Sequence, residues 1–106
     1  MIQGDVYWYK FKEPNKSRPV LILTRDLLIP ALNAVTVAEI TTTIRGNDSE
    51  VFLTTDDGMN EDCAANLTNI QTVPKSKFGS FITHLSPEIM REVREAIEFV
   101  FDFRSL

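Results

Sequence analysis

The 106-residue sequence has one cysteine and one histidine, and those two scarcities exclude a good deal of chemistry. A lone Cys63 permits no intrachain disulfide, which fits a reducing compartment. With only His84 to join it, a protein metal site of nitrogen and sulfur ligands lacks donors, so no metal or other cofactor is expected. A Cys–His nucleophilic pair would need both residues and has no supporting motif. Cys63 reads instead as a small buried hydrophobe. His84, just before a helix cap, reads as structural. There is no HExxH, no CxxC, no Walker loop and no GxGxxG. No apolar run approaches ~18 residues, so no membrane helix is expected. Met1 is followed closely by Gln3, Gly4 and Asp5, which is not a signal-peptide pattern, and a cytoplasmic protein is expected. No repeat, low-complexity tract or linker interrupts the chain. The length suits one domain over residues 1–106, burying roughly 65% of its unfolded surface without staples.

Positive charge is also in short supply. Eleven Lys and Arg face fifteen Asp and Glu, for a formal charge of −4. That balance argues against nucleic acid at first. The distribution softens it, because Lys10, Lys12, Lys16, Arg18 and Arg25 are concentrated in one stretch near the start. A local basic surface needs only a few such groups to neutralise phosphates.

What is present is a β-rich pattern organised around Arg18-Pro19-Val20-Leu21-Ile22-Leu23-Thr24. Proline disfavours helix at the residue before it, and it fits best at a strand's first position. The aliphatics that follow read as a strand buried on both faces, Pro19 to Thr24. A first strand is expected over Asp5 to Phe11, where Val6, Tyr7, Trp8, Tyr9 and Phe11 are β-formers. Lys12 to Ser17 is turn-like. In Arg25 to Asn33, Leu27, Leu28 and Ala31 could make one helical turn that Pro30 limits. Val35 to Thr43 is a third strand, rich in β-branched residues. Gly46 to Ser49 is a turn, Glu50 to Thr54 a fourth strand, and Thr55 to Asp62 an acidic loop. That loop's acids do not follow EF-hand spacing. Cys63 to Leu67 and Ile70 to Val73 are two short strands or one kinked strand.

The last element carries the clearest signals. Ser86 is an N-cap, Pro87 fits the first helical position, and Glu88 complements the positive helix end. Ile89, Val93, Ala96, Ile97 and Val100 recur at helical spacing. Phe101 is expected in the core. Phe99 and Phe103 stand between core and a dimer contact, because they add apolar surface beyond one helix face. The order of five or six strands and a terminal helix implies a small, mainly antiparallel barrel or half-barrel with a covering helix.

Strand alternation places Val37, Glu39 and Thr41 on one face. Glu39 is a carboxylate in an otherwise apolar strand. An arginine offers a fixed cation with a planar donor fork suited to phosphate. If Arg18 lies across from this strand, the three residues form a cation–carboxylate–hydroxyl site. An edge ion pair without chemistry is the competing reading.

Five segments in register then resemble the MazF/PemK family of toxins from bacterial toxin–antitoxin systems. They are Gly4-Asp5-Val6-Tyr7-Trp8, Arg18-Pro19-Val20-Leu21-Ile22-Leu23, Ile40-Thr41, Asn69-Ile70-Gln71-Thr72-Val73-Pro74-Lys75 and Leu85-Ser86-Pro87-Glu88. The resemblance implies a twisted antiparallel SH3-like or CcdB-like barrel with a C-terminal helix. It implies a homodimer, an antitoxin partner that blocks the site, and single-stranded RNA as substrate. The implied activity is a metal-independent, sequence-specific endoribonuclease leaving 2′,3′-cyclic phosphate and 5′-hydroxyl ends. The family's catalytic arginine and threonine fall on Arg18 and Thr41. A fixed guanidinium and a hydroxyl suit the charge that builds on a pentacoordinate phosphorane. Glu39, which the resemblance does not supply, is a candidate base or orienter of Arg18.

Lys12, Lys16, Ser17 and Thr42 are candidate RNA contacts. Asn66 and Asn69 could read base edges of unstacked nucleotides or make turn hydrogen bonds. Two departures bear on specificity. The loop Lys12 to Ser17 is shorter than in many members, and Gln71 stands where many have arginine in a Gln-Ile-Arg-Thr sequence. The alternatives are a CcdB-like gyrase poison, which would depend on the terminal helix and cut nothing, and a degenerate or purely structural family member.

Overall fold

Alternating β-branched and aromatic residues do fold as strands, six of them among the described residues. The computed structural model describes residues 1–12 and 16–103. The strands are β1 (Asp5–Lys10), β2 (Ser17–Ile22), β3 (Ala34–Thr41), β4 (Glu50–Leu53), β5 (Cys63–Pro74) and β6 (Phe78–His84), followed by helix α1 (Pro87–Val100). They form one sheet in the order β4-β5-β3-β2-β1-β6, with every neighbouring pair antiparallel. A single 3-10 turn, Lys75–Lys77, carries the chain from β5 near one edge to β6 at the other. The sheet must curl for so short a link to reach. The Tyr9 hydroxyl spans the concave side and donates to the Pro74 carbonyl at 3.2 Å. Burial pushes the titration of that hydroxyl up, so it remains a donor through neutral pH.

The curl gives two apolar clusters on opposite faces of the sheet. The concave face packs Tyr9, Val20, Ile22, Ile29, Val35, Val37 and Val73, with Tyr7, Phe11 and Phe78 beside them. The convex face packs Val6, Leu21, Ala38, Ile40, Leu53, Ala65 and Leu67 against Val93 and Ala96 of α1. The helix lies over β4 and β5. It starts where the sequence indicates: Ser86 Oγ accepts from the Ile89 amide at 3.2 Å, and Pro87 opens the first turn.

Several expectations change. Pro19 is the third residue of β2, paired with Trp8 in β1, and the ladder to β3 begins one residue later at Val20↔Glu39. A proline without an N–H is tolerated there because β3 asks nothing of it. In Arg25 to Asn33 the only helical turn is 3-10, Ile29–Ala31. Its buried residue is Ile29, while Leu27 and Leu28 are exposed. The segments from Cys63 to Leu67 and from Ile70 to Val73 are one strand whose pairing with β3 slips between Ala38 and Glu39. β6 is not anticipated by the sequence reading. Phe101 is 42% exposed, and it stacks on Phe103 with ring centroids 6.2 Å apart instead of entering the core. It stands past the last helical turn, as the C-cap of α1, so the helix's apolar spacing no longer sets the direction of its side chain. Residues 13–15 of the expected Lys12 to Ser17 turn lie outside the described residues.

Candidate active site

The ladder between β2 and β3 runs Ile22↔Val37, Leu21↔Ala38, Val20↔Glu39. Continued two residues, the same register brings Arg18 level with Thr41. Residues opposite one another in an antiparallel pair share a face, so Arg18, Glu39 and Thr41 belong to the concave side. Val20 and Val37, which share that face, are its buried floor. Arg18 Nη1 stands 3.6 Å from Glu39 Oε1, with the Arg18 side chain 41% exposed and that of Glu39 only 16%. The distance is a charge contact and too long for a hydrogen bond. A pair this open to solvent contributes at most about 1 kcal/mol to stability.

Glu39 is held from its other side. Oε2 accepts from Asn69 Nδ2 at 2.8 Å and from Gln71 Nε2 at 3.0 Å. Asn69, for which base contact and turn hydrogen bonding are the two expectations, directs its amide at a carboxylate. Gln71 is a site residue that the sequence reading notes only as a missing arginine. Asn66 Oδ1 accepts from both the amide and the hydroxyl of Thr68, at 3.0 and 2.6 Å. Thr41, half-buried at the end of β3, accepts from the Thr43 amide at 3.1 Å. Thr41 and Thr42 line a cavity of about 180 Å³ with Trp8, Pro19 and Met59.

Ser17 and Lys12 line a larger cleft with Lys10, Lys77, Trp8 and Phe78. Lys16 is exposed just before β2, and its carbonyl accepts from the Phe11 amide at 2.9 Å. Trp8 is expected in the first strand without a site role, and Lys77, which stands in the 3-10 turn that leads into β6, is missed by the sequence reading. Cationic and aromatic groups together suit a single-stranded nucleic acid, which offers phosphates and bases in alternation.

The remaining titratable candidates stand apart from this chemistry. His84 Nδ1 lies 2.8 Å from Asp5 Oδ1, and the other Asp5 oxygen accepts from the Ile2 amide at 2.9 Å. That arrangement ties the N-terminus to the end of β6. Among the described residues no group of three His, Cys, Asp or Glu side chains is placed to hold a metal ion. Cys63 is 3% exposed; burial, with the charges of Glu61, Asp62 and Asp57, pushes its thiol up to about 11. Only the thiolate attacks, so at pH 8 Cys63 should react with a disulfide reagent about two orders of magnitude more slowly than a free cysteine. Release of the chromophore from Ellman's reagent by folded and urea-unfolded protein measures this. Equal rates would place the thiol at the surface.

The geometry can be set beside known proteins. The sequence profile of the PemK-like, MazF-like toxins of type II toxin–antitoxin systems matches residues 2–101. The chain is 42% identical over 88 residues to the endoribonuclease MazF3 of Mycobacterium tuberculosis, covering 83% of this chain and 85% of that one. Its fold matches the solved structure of Mycobacterium tuberculosis toxin MazF-mt6 with a TM-score of 0.86 at 37% identity, over 95% of this chain and 99% of the other. A mycobacterial endoribonuclease solved in complex with its cognate antitoxin shares the fold at a TM-score of 0.87 and 21% identity, over 100% of this chain and 99% of that chain.

Proposed function

The chain belongs to the PemK-like, MazF-like toxin family of type II toxin–antitoxin systems, and on that premise we propose that it is a metal-independent, sequence-specific endoribonuclease for single-stranded RNA. The observation that carries this reading is Arg18 beside Glu39 on the concave face, with Ser17, its neighbour in β2, lining a lysine-bearing cleft. In the proposed reaction the ribose 2′-oxygen bonds to phosphorus as the bond from phosphorus to the 5′-oxygen breaks. The 2′-hydroxyl gives up its proton and the departing 5′-oxygen gains one. Products are a 2′,3′-cyclic phosphate and a 5′-hydroxyl.

Arg18 would stabilise the charge on the non-bridging oxygens, acting as a preformed donor that needs no reorganisation. Thr41 would orient the phosphate. Glu39 would hold Arg18 in place. Lys12, Lys16, Ser17 and Thr42 would contact the flanking backbone, and Asn66 would offer its amide nitrogen to a base. The protein is proposed to act in the cytoplasm as a homodimer, kept inactive by a cognate antitoxin covering the site. The exposed Phe99, Phe101 and Phe103 are consistent with a contact surface near the end of α1.

The gyrase-binding alternative gains nothing from the relatives, which are named as endoribonucleases. The discriminating experiment is incubation of a long, varied RNA transcript with purified protein in excess EDTA. Discrete fragments with cyclic-phosphate and 5′-hydroxyl ends are expected. Intact RNA in the presence of folded protein would sink the nuclease reading.

A further inference from the structure

We propose that Asn69 and Gln71 are positioning residues of this site: together they clamp one oxygen of Glu39 so that the other holds Arg18 without closing on it. The proposal rests on the nuclease reading for its consequence and on geometry for its existence.

Two amide N–H groups converge on Oε2, at 2.8 Å from Asn69 and 3.0 Å from Gln71. The ion-pair contact to Arg18 is made by the other oxygen, Oε1, at 3.6 Å. A carboxylate free to turn would present both oxygens to a neighbouring guanidinium, forming a two-bond fork. That fork would occupy the donors a phosphate needs. With Oε2 already engaged, Glu39 attracts the guanidinium but leaves its N–H donors open. The Glu39 side chain is mostly buried, and a carboxylate oxygen withdrawn from water needs hydrogen-bond donors in its place.

The backbone explains why the amides converge. Up to Ala38↔Ile70 and Val37↔Gln71 the β3–β5 register is constant, and its continuation would set Glu39 opposite Asn69. The ladder instead jumps to Glu39↔Asn66, so Leu67, Thr68 and Asn69 are extra residues on β5. The two Thr68 bonds to Asn66 Oδ1 fasten this bulge. It leaves Asn69 beside Glu39 and Gln71 diagonal to it. Bulges of this kind re-aim a side chain next to a functional group.

The test compares wild type with Asn69→Ala/Gln71→Leu, in the native background and in Glu39→Gln, on an oligoribonucleotide spanning a site mapped on the long transcript. If the clamp acts through Glu39, the double variant loses about 10- to 100-fold in kcat, with KM unchanged. The same pair of changes in Glu39→Gln then causes no further loss, because residues acting as a unit are not additive. A raised KM with wild-type kcat would make the two amides RNA contacts and overturn the proposal, as would an equal loss in both backgrounds. A second readout needs no RNA. The side-chain amide resonances of Asn69 and Gln71 should be displaced from free-amide positions and should move together in Glu39→Ala; unmoved resonances would overturn the clamp. Should wild type leave RNA intact, the nuclease reading falls, and the resonances alone decide whether the clamp exists.

Discussion

Arg18→Ala should reduce RNA cleavage by about 100- to 1,000-fold, the loss typical when one preformed donor to a developing oxyanion is removed. The fold should barely register the change. The Arg18 side chain is 41% exposed, it approaches Glu39 only to 3.6 Å, and partly solvated pairs of this kind contribute at most about 1 kcal/mol. The two roles open to Arg18 therefore separate cleanly. A structural ion pair would show itself in the urea midpoint and leave cleavage alone. A phosphate-stabilising arginine does the reverse. Arg18→Lys is the more demanding comparison. It keeps the positive charge but replaces a planar fork with a point charge, so most of the loss should persist. Single-turnover cleavage in EDTA, paired with urea denaturation at constant slope, measures both effects. Wild-type cleavage by Arg18→Ala would remove the residue from the chemistry.

How much of this was legible in the sequence depends on whether the contact is local. The cap at Ser86 and the apolar spacing along α1 depend on neighbours within one turn, and they read correctly. The face shared by Val37, Glu39 and Thr41 follows from alternation alone, and adjacency of β2 and β3 was enough to bring Arg18 to it. β6 was not legible because Phe78-Gly79-Ser80-Phe81 has a glycine and a serine inside it, and its pairing with β1 is irregular at two places. Missing β6 also hid Lys77 from the cleft beside Ser17. The clamp on Glu39 was out of reach for a different reason. It depends on a three-residue slip between β3 and β5, and no local propensity encodes where a ladder slips. Asn69 and Gln71 could be picked out as polar residues near a strand, but their shared target lies thirty and thirty-two positions away. Phe101 failed in the opposite direction. Its hydrophobicity suggested burial, yet it lies one residue beyond the helix, where helical spacing no longer turns it toward the core.

Gly58→Ala should be among the most destabilising single changes, at about 2–4 kcal/mol when left-handed strain and a steric clash combine. Gly58 ends the 3-10 turn Thr55–Asp57 with φ of 94°. Any side chain there meets the strain of a left-handed backbone, about 1–2 kcal/mol. It also meets Thr83 of β6, whose Cβ lies 2.7 Å from where an alanine Cβ would stand, with the hydroxyl nearer still. Thr83 cannot easily withdraw, because its hydroxyl donates to the Asp57 carbonyl at 2.9 Å. Gly46 is the internal control. Its φ is 71°, and a Cβ added there meets nothing within 4 Å, so Gly46→Ala should show the backbone strain alone. The difference between the two urea midpoints, converted at a common slope, isolates the clash. Equal midpoints would mean that the turn moves off β6 without cost. Function offers a second comparison. The chain leaving Gly58 supplies Met59, Asn60 and Glu61 to the cavity that Thr41 and Thr42 line. A displaced turn should therefore slow RNA cleavage in Gly58→Ala under conditions where both proteins remain folded, while Gly46→Ala cleaves at the wild-type rate. Loss of stability in Gly58→Ala without loss of rate would detach that cavity wall from the reaction and leave phosphate orientation to Arg18 and Thr41 alone.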